Sequence, residues 1–318
     1  MVHASPADRG RIDEIHKRAR ERNQELLRGG HDAARALRDG GIESIALKGT
    51  ARLAARPGAI DSRILGDVDL LVRRADAAAA LAVTLQSGWV PIYRGRLRAI
   101  GVQHSIDTRR GDGTLLDLHW TALEMPGLDD GVWSRAVRSD IEGWQVSVPS
   151  PSDQLLITCV HGVGPHPAAP HWILDALELL SPAETPIDWD VVCREAVVRQ
   201  ATGLLAEALD GLDSRFGADV PAGVISDLRR ARRTLSERAV DHVSRQPQPR
   251  GATYVVEWHR YRRLVAIGDT DHATSFADHL ARRWGFAATR DLLPAAVRRS
   301  AGLARPGRLT PWADFVGR

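Results

Sequence analysis

Gly66-Asp67-Val68-Asp69-Leu70-Leu71-Val72 places two carboxylates immediately ahead of an apolar run. Leu, Leu and Val after the acids predict a strand that enters a core. Side chains on a strand alternate, so Asp67 and Asp69 share one face while Val68 and Leu70 take the other. Strand rise sets the two acids roughly 7 Å apart at the backbone. Like charges so placed repel, and one tends to hold a proton unless a cation sits between them. Hard oxygen ligands of this kind suit Mg²⁺, which takes one or two carboxylates together with substrate phosphates. An isolated Asp-x-Asp is more commonly the outward face of a solvated edge strand, so the weight falls on the neighbouring segments.

Upstream, Ile45-Ala46-Leu47-Lys48-Gly49-Thr50 precedes Ala51-Arg52-Leu53-Ala54-Ala55. Ile42 to Leu47 reads as a buried strand and Ala51 to Ala55 as the start of a helix. Gly49-Thr50 is then a strand-to-helix turn in which Gly permits close backbone approach and Thr serves as N-cap. A helix N-terminus of this kind offers free N–H groups to a phosphate, although the same two residues also make an ordinary turn. Lys48 adds weight. The chain carries 43 Lys plus Arg, and only Lys17 and Lys48 are lysines. A lysine kept beside Gly49 suits a compact point charge near phosphate.

Thr114-Leu115-Leu116-Asp117-Leu118-His119-Trp120 supplies a third element, a strand with Asp117 and His119 on one face. Gly111-Asp112-Gly113 marks a hairpin, with His104 to Thr108 as the preceding strand. A third carboxylate therefore lies on a strand that can neighbour the Asp67 strand. His119 can bind metal, contact a nucleotide or cap a half-buried strand.

Strand, Gly-Thr, helix, Asp-x-Asp and then a lone Asp on a later strand resembles the nucleotidyltransferase fold of the DNA polymerase β superfamily. More narrowly, Leu47-Lys48-Gly49, Arg63-x-x-x-Asp67-x-Asp69-Leu70-Leu71-Val72 and Asp117-Leu118-His119-Trp120 resemble a bacterial family of uncharacterised nucleotidyltransferases. The resemblance covers roughly residues 30 to 180, and Thr50 departs from the commoner Ser. Members often lie in natural-product and modified-peptide gene neighbourhoods.

The resemblance implies an α/β fold, a mixed α+β sheet, followed by a C-terminal all-helical domain. It implies Asp67, Asp69 and Asp117 as catalytic residues and metal ligands, with two ions about 3.5–4 Å apart steadying the attacking and leaving oxygens. Lys48, Gly49, Thr50, Arg63 and His119 would bind nucleotide. The cofactor would be Mg²⁺ or Mn²⁺, with a nucleoside triphosphate as substrate.

Composition fits a soluble enzyme: 318 residues, 43% hydrophobic and 26% charged. A net charge of +3 gives little case for nucleic acid as partner, despite a pI of about 9.2. Arg229 to Arg233 reads as a solvated helix face, and aromatic interleaving for single strands is sparse. Cys159 and Cys193 sit in apolar helical patterns and read as small buried residues in a reducing cytoplasm. The N-terminus lacks an apolar signal region, and no run is long enough to span a bilayer.

The expected division is 1–41, two N-terminal helices (7–28 and 30–39); 42–149, the catalytic domain; and 150–318, a helical domain closing the nucleotide cleft. Strands are expected at 42–48, 67–73, 104–110, 114–120 and 144–148, with a helix over 76–86. Ser152 is expected to cap a helix from Asp153. Further helices follow at 171–181, 188–200, 203–216, 221–243, 254–266, 273–284 and 288–302, with a linker at 246–251. His161, His166, His171 and Asp175 form a second constellation, the last two being four apart on a helix.

The function these readings point to is Mg²⁺-dependent transfer of a nucleoside monophosphate from a nucleoside triphosphate to a small-molecule or modified-peptide acceptor. Two other classes stand beside it: a non-catalytic nucleotide-binding module of the same fold, and an antitoxin-like transferase that modifies a protein partner.

Overall fold

The computed structural model describes residues 6–55, 60–125, 127–163, 171–181, 185–244, 252–268, 274–292 and 294. His166, the linker 246–251 and most of the expected helix 288–302 lie outside the described residues. The first elements are α1 (Pro6–Asp39), β1 (Ser44–Ala46), α2 (Lys48–Ala55), β2 (Val68–Val72), α3 (Ala77–Gln86), β3 (Val90–Pro91), β4 (Ser105–Arg109) and β5 (Leu115–His119). Next come α4 (Asp130–Ser134), β6 (Val137–Ile141), β7 (Trp144–Val148), α5 (Pro151–Val163), α6 (His171–Leu179) and α7 (Trp189–Val198). The last are α8 (Thr202–Phe216), α9 (Ala222–Arg230), α10 (Leu235–Ser244), α11 (Ala252–Ala266) and α12 (Phe276–Arg283). None of the described helices is long and apolar enough to cross a membrane.

The seven strands form one mixed sheet in the order β3-β4-β5-β2-β1-β7-β6. Strand β1 runs antiparallel to β2 and parallel to β7, while β2 runs parallel to β5. All five residues of β2 are buried, which fits its apolar run and its place in the middle of the sheet. The mixed sheet and the helical second half match the expected fold class. The chain divides into two compact units, one of Met1–Val90, Asp107–Trp120 and Asp130–Ser150, the other of Pro91–Ile106, Thr121–Asp129 and Pro151–Arg318.

In the first unit α1 is one continuous 34-residue helix, where two helices were expected from Gly29-Gly30. The glycines do not break it because close approach to the sheet occupies the space their side chains would fill. A Cβ on Gly29 would lie 2.5 Å from Thr114 Cγ2, and one on Gly30 would lie 2.7 Å from Val68 Cγ1. Helix α1 also reaches the β4–β5 hairpin through Asp32, which accepts from Arg110 at 3.0 Å. Strand β6 was not expected. It pairs with β7 through a two-residue turn in which Glu142 (φ 53°) and Gly143 (φ 88°) both take positive φ, as a type I′ hairpin requires. Its exposed first residues, Val137 and Arg138, weaken the alternation that would reveal it.

In the second unit, α5 is buried along nearly its whole length. Trp172 of α6 packs on Gly162, where a Cβ would lie 2.2 Å from the indole. Ser152 does not cap α5, which begins at Pro151; its hydroxyl instead accepts from the Asp188 N–H at 2.8 Å. The expected helix 221–243 is two helices. Thr234 accepts from the Glu237 N–H at 3.1 Å and starts α10 afresh. A buried ionic group ties α11 to α12: Glu257 accepts from Arg260, from His279 at 2.9 Å and from Arg283 at 3.1 Å. Burial raises the Glu257 pKa, but Arg260 and Arg283 outweigh it and hold the carboxyl well below the usual range. Cys159 is buried, with its thiol pushed up to about 12 by burial, whereas Cys193 is only half-buried.

The contrast between glycines in α1 is testable. Gly30→Leu overpacks against Val68 and should destabilise the protein by about 1–3 kcal/mol in urea unfolding. Gly10 has nothing within 4 Å of an added Cβ, so Gly10→Ala should stabilise by up to about 1 kcal/mol. Equal effects from the two substitutions would contradict the close packing of α1 on β2.

Candidate active site

Register builds the centre of the site. Parallel pairing of β2 with β5 sets Asp69 opposite Asp117 and Leu71 opposite His119. Asp69, Asp117 and His119 are all buried, and one ligand atom from each lies within 4.8 Å of the others. His119 Nε2 stands 2.9 Å from Asp69 Oδ1 and 2.8 Å from Asp117 Oδ2. Asp67 lies one residue ahead of β2, half-buried, and outside that converging trio.

Strand β1 delivers the turn. The Leu47 N–H donates to the Asp69 carbonyl at 3.0 Å, extending the β1–β2 pairing to the residue before Lys48. Lys48 therefore sits beside Asp69, and its Nζ donates to Asp69 Oδ1 at 2.7 Å. The same ammonium is 3.3 Å from His119 Nε2 and 4.0 Å from Asp117 Oδ2. Lys48 takes positive φ, 47°, and the chain then enters α2 directly. A left-handed residue followed by a helical one turns successive N–H groups toward a common point, an anion-binding nest. The Ala51 N–H donates to the Leu47 carbonyl, so the N–H groups of Lys48, Gly49 and Thr50 have no acceptor inside the helix.

Thr50 is not the expected N-cap. It lies inside the first turn of α2, fully buried, and its Oγ1 has no hydrogen-bond partner among the described residues. An unpaired buried hydroxyl costs about 1–3 kcal/mol, which a turn serving only to start a helix would avoid with alanine. Gly49 is required by space rather than by φ. A Cβ there would lie 2.9 Å from both Arg63 Nη2 and Leu65 Cδ2. The glycine thus lets the Arg63 guanidinium lie against the turn.

Sequence reasoning did not single out Asn23. It is fully buried in α1, donates to the carbonyls of Ile60 and Arg63 at 2.5 and 2.6 Å, and accepts from the Leu65 N–H at 2.9 Å. One amide therefore pins the segment that carries Arg63 and leads into Asp67. The only signal in the sequence is an amide at a core-facing position of an apolar helix stripe. Of the second constellation, His161 and His171 are exposed, and neither belongs to a metal-capable group among the described residues, which leave out His166.

The electrostatics follow from crowding three acids and two bases. Burial first, and then repulsion from Asp69, pushes Asp67 up to about 7. Burial also raises Asp69, but Lys48 and His119 outweigh it and lower the carboxyl. Burial lowers His119, but Asp117 more than reverses this and carries the imidazole up to about 9. Two oxygens and a ring nitrogen converging beside a bare helix start are chemically suited to a divalent cation bound with phosphate oxygens.

A family model described as an uncharacterised nucleotidyltransferase matches residues 2–217. Among solved structures, the crystal structure of an antigenic nucleotidyltransferase-like protein from Paracoccidioides brasiliensis is similar at 19% identity, over 72% of this chain and 97% of that chain, with a TM-score of 0.35. A search of curated proteins finds no match.

Both upward shifts make metal-free stability fall with pH. Asp67, raised to about 7 in the fold, binds more proton in the native state, so its contribution is lost as pH rises from about 4 through 7. His119, raised to about 9, stabilises fully below its unfolded value of 6.5 and loses this as pH climbs through 9. The melting temperature in chelator should therefore decline from pH 5 to pH 9. Asp67→Asn should flatten the part below pH 7 and raise melting at pH 8 by about 2–4 °C, the shift expected for 1 kcal/mol. A profile unchanged by Asp67→Asn would refute the crowding.

Proposed function

The chain belongs to this family of uncharacterised nucleotidyltransferases, and from that premise we propose that it transfers a nucleoside monophosphate from a nucleoside triphosphate to an acceptor, releasing pyrophosphate in a Mg²⁺- or Mn²⁺-dependent reaction. The single observation that carries this reading is the in-register pair Asp69 and Asp117, set beside a turn whose first N–H groups have no acceptor inside α2. Asp69 and Asp117 are the residues that would hold the ion, with Asp67 as a further carboxylate at its edge. A divalent ion bound there would neutralise charge on the transferring phosphoryl group and lower the cost of forming the new bond.

The chain's own residues divide the remaining work. The N–H groups of Gly49 and Thr50 hold the leaving β- and γ-phosphates, helped by the positive end of α2. Arg63, lying against Gly49, offsets triphosphate charge. Asp117 faces the acceptor oxygen and takes up its proton as the new bond to the α-phosphorus forms and the bond to pyrophosphate breaks. His119, within hydrogen-bond distance of both buried acids, keeps their orientation fixed. The acceptor class is a small molecule or modified peptide bearing a hydroxyl, phosphate or amine. A binding module that had lost catalysis would not need to keep all three acids.

A thermal-shift screen of the four nucleoside triphosphates, with and without Mg²⁺, should give stabilisation only when both are present. Asp69→Asn should abolish pyrophosphate release, assayed against hydroxyl- and amine-bearing acceptors, in a protein that still folds. Asp117→Asn should weaken binding of the Mg²⁺–triphosphate pair but lower turnover by about 10²–10³ beyond that, the loss typical of a group that acts in the transition state. A folded Asp69→Asn protein with wild-type turnover would sink the two-carboxylate mechanism. A destabilised Asp117→Asn protein with near-normal specific activity would reduce Asp117 to a structural role.

A further inference from the structure

Lys48 occupies the point toward which a bound cation would be drawn. Its Nζ reaches Asp69 Oδ1 at 2.7 Å and stands 4.0 Å from Asp117 Oδ2. The same nitrogen is only 3.3 Å from His119 Nε2, a basic neighbour that an ammonium would ordinarily avoid.

Three features of the placement oppose it. Lys48 adopts φ 47°, in the left-handed region that long side chains disfavour. It stands at the first residue of α2, where the positive end of the helix repels an ammonium. Its side chain is only 21% exposed, so the charge loses part of its hydration. Burial works against that charge, but Asp69 and Asp117 outweigh burial and keep the ammonium protonated. The carboxylates therefore supply the attraction that holds it in place.

An ammonium held by two carboxylates in this way competes directly with any metal for the same oxygens. Without it, Asp69, Asp117 and His119 would present two oxygens and a ring nitrogen within 4.8 Å of one another, an open chelating set for stray transition metals. Lys48 also begins the turn that presents its N–H groups to phosphate. A triphosphate on that turn offers the ammonium a second anionic partner within reach of its four-carbon stem.

We propose that Lys48 is a built-in counter-ion that keeps divalent metal off Asp69 and Asp117 until a triphosphate draws the ammonium away, so that metal and nucleotide enter together. The inference rests on the nucleotidyl-transfer reading above and adds an order of binding to it. Lys48 weakens binding of the metal alone and strengthens binding of the metal with triphosphate. By linkage, the metal then raises triphosphate affinity by the same factor that the triphosphate raises metal affinity.

Mn²⁺ is the probe, measured alone at pH 8 by loss of the free-ion EPR signal. Wild-type protein should bind it weakly. Lys48→Met should bind Mn²⁺ alone at least tenfold more tightly, and Lys48→Gln should move in the same direction, covering the case in which the methionine variant does not fold. Adding Asp69→Asn to either variant should return Mn²⁺ binding to the wild-type level, which locates the ion. Calorimetry with each of the four α,β-methylene triphosphates, with and without Mn²⁺, reads the coupling. It should be large in wild type and nearly absent in both Lys48 variants. If wild type binds a Mn²⁺–triphosphate pair but neither folded variant gains affinity for Mn²⁺ alone, the Lys48 assignment is overturned and nucleotidyl transfer stands. If wild type and variants bind no Mn²⁺, with triphosphate or without, both fall.

Discussion

Asp69 facing Asp117 across neighbouring parallel strands is the constraint on which the rest of the site depends. Two carboxylates withdrawn from water cannot sit in the sheet centre without compensation. Each nearby feature answers to that problem. His119 lies between them, Lys48 reaches in from β1, and Asp67 at the edge holds its proton up to about pH 7. A sheet built only for stability would place valine or leucine at these positions, since apolar replacement of buried ionic groups is often neutral or stabilising. The whole charged set fits the metal and triphosphate site proposed above.

Position in the sheet also shapes the turn. Strand β1 lies between β2 and β7, so its end is fixed on both sides. From that end the chain passes through Leu47, whose side chain has no atom to cap with, and Lys48 in a left-handed conformation into α2. A cap would occupy the N–H groups that a phosphate needs. The buried, unpaired Thr50 hydroxyl and the space that Gly49 leaves for Arg63 belong to the same local arrangement.

Legibility in the sequence followed the strength of local signals. Strands β2 and β5 were visible because uninterrupted apolar runs carry their polar positions at period two, and these placed Asp69, Asp117 and His119 on related faces. The β4–β5 hairpin was visible through Gly111-Asp112-Gly113. What failed was tertiary override. Gly29-Gly30 looks like a break, yet Thr114 and Val68 press against those positions and keep α1 continuous. Thr234-Leu235-Ser236-Glu237 carried a helix-start signal that was hidden inside a longer amphipathic pattern. Ser152 resembled a cap, but its partner is Asp188, far along the chain. Asn23 was invisible because its value lies in three backbone groups of a loop about forty residues away. The buried Glu257 group in the helical unit had no local signature at all, since its cations come from α11 and α12 together.

Anomalous diffraction from crystals grown with Mn²⁺ and a non-hydrolysable triphosphate tests the central claim most directly. The account predicts a manganese peak within coordination distance of the Asp69 and Asp117 carboxylates and of an α-phosphate oxygen, with the β- and γ-phosphates against the N–H groups of Gly49 and Thr50. A triphosphate bound away from that turn, or manganese placed anywhere but at Asp69 and Asp117, would contradict it.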